Sequence, residues 1–108
     1  MSTEVGADPG EERMTMYLKV RWYHDNPEDP IVLYHELEAD QHEIRRIELF
    51  EDGRLQRSDK VEPEAPTSLS TESLPSLDVI REQPEFTAVT IDATEFEEVW
   101  DRAGRANR

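Results

Sequence analysis

The sequence predicts an α+β domain: an antiparallel sheet of four to five strands with two helices packed on one face, ordered β-β-β-β-α-β-α. Three observations carry this. Met16 to Tyr23 alternates strictly, with Met16, Leu18, Val20 and Trp22 on one side and Tyr17, Lys19, Arg21 and Tyr23 on the other. Period two marks a strand with one buried face. The runs Ile31–Glu38 and His42–Phe50 flank a short polar break, Ala39-Asp40-Gln41, as the arms of a hairpin do. Near the C-terminus, Asp92-Ala93-Thr94-Glu95 reads as a capping box ahead of an apolar stripe of Phe96, Val99, Trp100 and Ala103.

Taken in order, residues 1–13 hold one Val and one Ala among small, polar and acidic residues, with a charge of -3 from Glu4, Asp8, Glu11 and Glu12 against Arg13. Such a segment buries too little to offset the entropy of ordering, and is expected to be a disordered acidic tail. A single domain is expected over 14–104, followed by a short C-terminal tail at 105–108. Tyr23 to Pro30, with two prolines and three Asx residues, ends the first strand. A three-residue hairpin loop sets Glu38 opposite His42 and, in step, Leu33 opposite Ile47 and Tyr34 opposite Arg46. That register puts the apolar pairs on one face, whereas a slip of one residue would set Leu33 against Glu48. Asp52-Gly53 is a hairpin signal leading to a short polar edge strand, Leu55–Asp59. Val61 to Ser73 reads as loop. Leu74, Leu77 and Ile80 mark a short helix with Ser73 or Ser76 as N-cap, stopped by Pro84. Phe86–Ile91 is the fifth strand, and Gly104 is placed just past the end of the closing helix.

Composition narrows the function classes. The chain has 108 residues, 35% of them hydrophobic, and no cysteine, so it can form neither a disulfide framework nor a thiolate metal site. With 26 acidic against 12 basic residues the formal charge is -14, a field that repels nucleic-acid phosphates and anionic headgroups. No apolar run approaches the roughly 18 residues of a membrane span, and the N-terminus lacks the features of a signal peptide. A cytoplasmic protein, monomeric or weakly dimeric, without nucleic-acid or membrane partners is the expectation.

The segments Tyr17-Leu18-Lys19-Val20-Arg21-Trp22, His24-Asp25, Leu33-Tyr34, Asp52-Gly53-Arg54, Leu74-Pro75-Ser76-Leu77, Pro84-Glu85-Phe86 and Glu95-Phe96-Glu97-Glu98-Val99-Trp100 resemble a family of small uncharacterised bacterial proteins. The resemblance runs from Met16 to Ala103. It implies a stand-alone bacterial domain, of the size and acidity of the immunity proteins of toxin systems, and it brings no catalytic residue with it.

The candidate chemistry is sparse. His24, His35 and His42 do not converge in the expected register, so neither a metal site nor a cofactor is expected. His24-Asp25 beside Glu36 lacks any spacing that enforces an acid–base contact, and no nucleophile elbow, P-loop or dinucleotide motif is present, so no catalytic residue is assigned. Arg21, Tyr34, Glu36, Arg46 and Glu48, with His24 nearby, instead form an expected polar, aromatic-bearing sheet face of the kind that anchors interfaces. Trp22 and Trp100 match the buried periodicity of their elements and are expected in the core.

Two functions follow. The first is a non-catalytic, immunity-like interaction module that binds a basic protein partner. The alternative is a small-molecule binder or enzyme with its pocket between the sheet and the 61–73 loop. A concave, mostly apolar cleft of about 300 Å³ or more near His24 or Arg46 separates the alternative from the first.

Overall fold

The alternating run at Met16 becomes an inner strand of a five-stranded antiparallel sheet. The computed structural model describes residues 15–59, 69 and 73–106. The strands are β1 (Met16–Trp22), β2 (Val32–Leu37), β3 (Glu43–Leu49), β4 (Leu55–Ser58) and β5 (Phe86–Ile91). Two helices join them, α1 (Leu77–Arg81) and α2 (Ala93–Ala106). The strand order is β4-β3-β2-β1-β5, with every neighbouring pair antiparallel. The α+β class and the element order are as the sequence predicts. The acidic tail at 1–13, residues 107–108 and the 61–73 loop, apart from Leu69 and Ser73, lie outside the described residues.

The local signals act as expected at several points. Gly53 takes a φ of 91°, and Asp52 Oδ1 accepts the Arg54 backbone N–H at 3.0 Å, closing the β3–β4 turn. Ser76 is the N-cap of α1, its hydroxyl accepting from the Val79 N–H. Asp92 Oδ1 accepts the Glu95 N–H at 2.8 Å at the start of α2.

Two expectations are overturned. The helices do not share a face. Ile80, Leu77 and Leu74 pack on Leu18, Val20, Leu37 and Ala88, while Phe96, Val99 and Ala103 pack on Val32, Tyr34, Ile47 and Leu55 on the opposite face. Each face of the sheet therefore needs its own apolar set, and two separate cores result. The β2–β3 register also differs. Glu38 and His42 do begin the hairpin, with the Glu38 N–H donating to the His42 carbonyl at 2.9 Å, and Leu37 pairs with Glu43. A bulge then intervenes, so that Glu36 pairs with Arg45, His35 with Arg46, Tyr34 with Ile47 and Leu33 with Glu48. Ile44 is the extra residue on the bulged strand. Tyr34 goes into the α2 core and Arg46 to the α1 face.

Arg45 holds α2 against the sheet. Its Nε donates to Glu36 at 2.5 Å and its Nη2 to Glu97 at 2.5 Å, with the guanidinium 4.8 Å from the ring centres of both Phe96 and Trp100. Burial opposes this charge, yet the hydrogen bonds to Glu97 and Glu36 outweigh it and raise the Arg45 pKa. Arg57 adds a second cation, 4.5 Å from the Trp100 ring centre and donating to the Trp100 carbonyl. Gly104 lies inside α2 rather than past its end: a Cβ there would meet the Arg57 guanidinium at 2.7 Å. The fully buried aromatic is Phe96, whereas Trp22 and Trp100 are only partly buried. Among the described residues no helix is long and apolar enough to cross a membrane.

Phe96→Ala should therefore cost about 3–5 kcal/mol in urea denaturation, the range for emptying a buried aromatic site. Trp22→Ala should cost clearly less. Equal losses would show that Trp22 carries core packing despite its exposure. The Glu97 carboxyl is held below its usual range chiefly by the hydrogen bond from Arg45. A depressed carboxyl stabilises the fold above its unfolded pKa and loses that contribution as pH falls through the folded value. Glu97→Gln, at a half-exposed site, should cost roughly 0–1 kcal/mol at neutral pH, and the difference from wild type should vanish in acid.

Candidate functional site: a cleft on the α1 face

Helix α1 has five residues and spans only part of its face of the sheet. Beside it lies a cleft of about 440 Å³, floored by Val20, Leu33 and Phe86, walled by Trp22, Leu74 and Ile80, and closed at one end by His35 and Arg46. Ser73 and Pro75 complete the rim. The walls are braced from outside. Gln41 holds a φ of 74°, and its carbonyl accepts the Leu74 N–H at 2.9 Å while its side-chain amide donates to the Pro75 carbonyl at 3.2 Å. A non-glycine residue at positive φ costs about 1–3 kcal/mol, and here it fixes the rim to the β2–β3 turn. Trp22 is backed by the ring of His24, edge-on at 4.4 Å between centroids.

The polar end is a buried ionic cluster. Glu43, whose side chain is 0% exposed, accepts from His35 Nδ1 at 2.5 Å and from Arg46 Nε and Nη2 at 2.9 and 2.6 Å. Glu48 lies 3.5 Å from Arg46 Nη1. Burial opposes the Arg46 charge, but the hydrogen bond and charge of Glu43, aided by Glu48, raise its pKa above the ordinary value. A buried carboxylate with these donors is an acceptor fixed in place. It therefore fixes the orientation of the His35 ring through Nδ1.

The six residues nominated from the sequence do not form one surface. Arg21, Tyr34 and Glu36 lie on the α2 face, whereas Arg46 and Glu48 lie on the α1 face. Tyr34 is 7% exposed in the α2 core, and Glu36 is buried, accepting from Arg45 and, at 3.2 Å, from the Tyr17 hydroxyl. Burial first, then the Glu36 charge, raises the Tyr17 pKa. Arg21 is exposed, its guanidinium 5.1 Å from the Tyr23 ring centre. His24 organises a turn: Nδ1 accepts the Asn26 N–H at 3.0 Å and Nε2 donates to the Pro30 carbonyl at 2.8 Å. Of the six, only Arg46 lines the cleft.

His35 and Glu43 were not legible as site residues, because a regular strand puts positions 43 and 46 on opposite faces. No sequence signal marks the bulge, since with both faces of the sheet buried an apolar residue at position 44 fits either face. Among the described residues no group of three or more His, Asp or Glu is placed to hold a metal ion. His42 pairs with Asp40 at the surface.

A family model described as a domain of unknown function (DUF6881) matches residues 16–105. No curated protein matches the chain. No solved structure matches it either.

Removing Glu43 leaves His35 Nδ1 and most of the Arg46 guanidinium without their buried acceptor. Glu43→Ala should destabilise by about 3–5 kcal/mol, as breaking a buried pair does. Urea denaturation measures it, and a loss below 1 kcal/mol would mean the cluster is hydrated and carries little of the fold.

Proposed function

Because the chain belongs to this family of unknown function, and no activity comes with it, we propose from geometry that the domain binds a small molecule in the α1-face cleft. The observation that carries the proposal is an open cleft of about 440 Å³, lined mainly by apolar side chains with His35 and Arg46 among its lining residues. Ligand sites have this form: volumes of about 300–1,000 Å³, an apolar lining and a few placed polar groups that set orientation. The cluster behind the cleft is costly to bury unless every member is paired. A surface that served only to be wetted would not need His35 held at 6% exposure by a carboxylate.

Binding, rather than chemistry, is what the arrangement supports. A general base needs a proton to take, and among the described residues no hydroxyl is hydrogen-bonded to His35 Nε2. Ser73 lines the same cleft but makes no hydrogen bond to His35. Two of the acids expected on an interaction surface, Glu36 and Glu48, are buried in ion pairs. What remains for a protein partner is the overall charge of -14, which speaks to solubility as much as to recognition.

Ser73→Trp tests the site with little risk to the fold, since Ser73 is exposed on the rim. The variant should keep the wild-type thermal midpoint and lose uptake of small apolar molecules, followed by the shift of the Trp22 indole N–H in NMR. Unchanged uptake would place binding elsewhere. Capture of a protein partner that competes with no small molecule would return the interaction reading.

A further inference from the structure

We propose that a cationic strip on the α2 face, carried by β1 and β5, is the docking surface of the chain's own acidic N-terminal segment, residues 1–13. The strip lies on the opposite side of the sheet from the cleft and does not depend on it. Helix α2 packs on Val32, Tyr34, Ile47 and Leu55. Further along the same face Tyr23 and Val89 are 52% and 49% exposed, beside exposed Arg21 and Thr87. Lys19 and Arg21 both point to that side, as alternate residues of β1. Their neighbours on the adjoining strands are Tyr34 and Val89 for Lys19, and Val32 and Thr87 for Arg21, none of them charged. Each cation meets a ring instead, Lys19 that of Tyr34 at 5.8 Å and Arg21 that of Tyr23 at 5.1 Å. Glu36, diagonal to Lys19, is taken by Arg45 and Tyr17. Among the described residues neither cation has a carboxylate within ion-pair reach. The other described arginines are placed differently. Arg45 and Arg46 are ion-paired, Arg57 and Arg81 donate to backbone carbonyls, and Arg54, Arg102 and Arg105 stand close behind acids in the sequence.

Charge and chain connectivity select the occupant. Residues 1–13 carry Glu4, Asp8, Glu11 and Glu12 against Arg13, the sign that a pair of cations attracts. The segment leads into Met16, the first residue of the strand that bears both cations. Lys19 and Arg21 lie about 10 and 17 Å along β1 from Met16. Asp8 and Glu4 are 8 and 12 residues before Met16. Chain of that length spans at most about 26 and 40 Å, enough to pass the first turn of α2, where Phe96 sits on Tyr17. Each exposed pair is weak by itself. A short tether makes such pairs count, because it holds the acids at an effective concentration that is roughly millimolar. A separate acidic protein would approach against the field of the whole chain at -14 without that tether.

The chain has no cysteine, so Ala7→Cys can carry a single nitroxide in the full-length protein. Broadening of backbone amide resonances, measured against the reduced label, then shows where the segment docks. At low salt Arg21, Tyr23, Thr87 and Val89 should lose intensity, while Leu55–Ser58 at the far edge of the sheet should keep it. Salt at about 1 M, where the Debye length falls to about 3 Å, should restore the lost signals. Glu4→Gln with Asp8→Asn should restore them at low salt, and so should Arg21→Gln, with the thermal midpoint unchanged because these charges are exposed or outside the sheet. Uniform loss over all surfaces overturns the proposal, as does loss confined to Ala93–Glu95, where the N-terminus of α2 attracts acids of its own. Loss that survives both salt and neutralisation also overturns it. So does a label that leaves the strip sharp while an added oligoglutamate peptide shifts the same four amides, an outcome that gives the strip to an acidic partner from outside the chain.

Discussion

One inserted residue in β3 decides what each face of this sheet carries. Had β3 run without a bulge, Glu43 and Arg46 would point to opposite sides and could not meet. With Ile44 inserted, Glu43 and Arg46 share the α1 face, and Arg46 turns back onto Glu43 with two hydrogen bonds. Arg45 is sent to the other face, where it reaches Glu36 and Glu97 between two aromatic rings. The adjacent arginines thus serve two different cores. Bulges sit where a side chain must be re-aimed, and here the re-aiming produces both the clamp on α2 and the polar end of the cleft.

The helices then cover the sheet unevenly. α1 packs mainly against the β5 edge on one face, and α2 against β4 and β3 on the other. Among the described residues neither helix packs on the α1 face toward β3, where apolar side chains from β1 and β2 give way to Arg46 and Glu48. The cleft lies at that boundary. An apolar floor continuing under a five-residue helix and ending at a charged cluster is a consequence of short α1 and bulged β3 together.

The parts of the fold that were legible rest on local chemistry. Strict alternation in Met16–Trp22, the Asp52-Gly53 turn and the Asp92 cap each involve residues close in sequence, and each is found where expected. The misplaced parts depend on pairing at a distance. Choosing the register by gathering apolar pairs on one face presumes that only one face is buried, and two helices on opposite faces remove that premise. In the observed register Leu33 sits opposite Glu48, an arrangement that an exposed or singly covered sheet would not favour. It is tolerated because Glu48 is paired with Arg46. The position of Gly104 depends on distance in the same way: nothing near it in sequence announces that Arg57, from β4, meets the helix there.

The same two-faced burial changes what the charge of the chain can mean. An acidic surface recruits partners only through groups that water reaches, and surface acids set on-rates rather than affinity. Glu36, Glu43 and Glu48 are among the most buried acids described, and each is matched by an arginine from β3. Burying three carboxylates in a small domain is expensive, and replacing such pairs by apolar residues is often neutral or stabilising. Around Arg45 the arrangement has a structural reason, since it ties α2 to the sheet. The Arg46 cluster does not tie α1, which packs on Leu18, Val20, Leu37 and Ala88. What the Arg46 cluster does accomplish is to hold one imidazole in one orientation beside an apolar cleft.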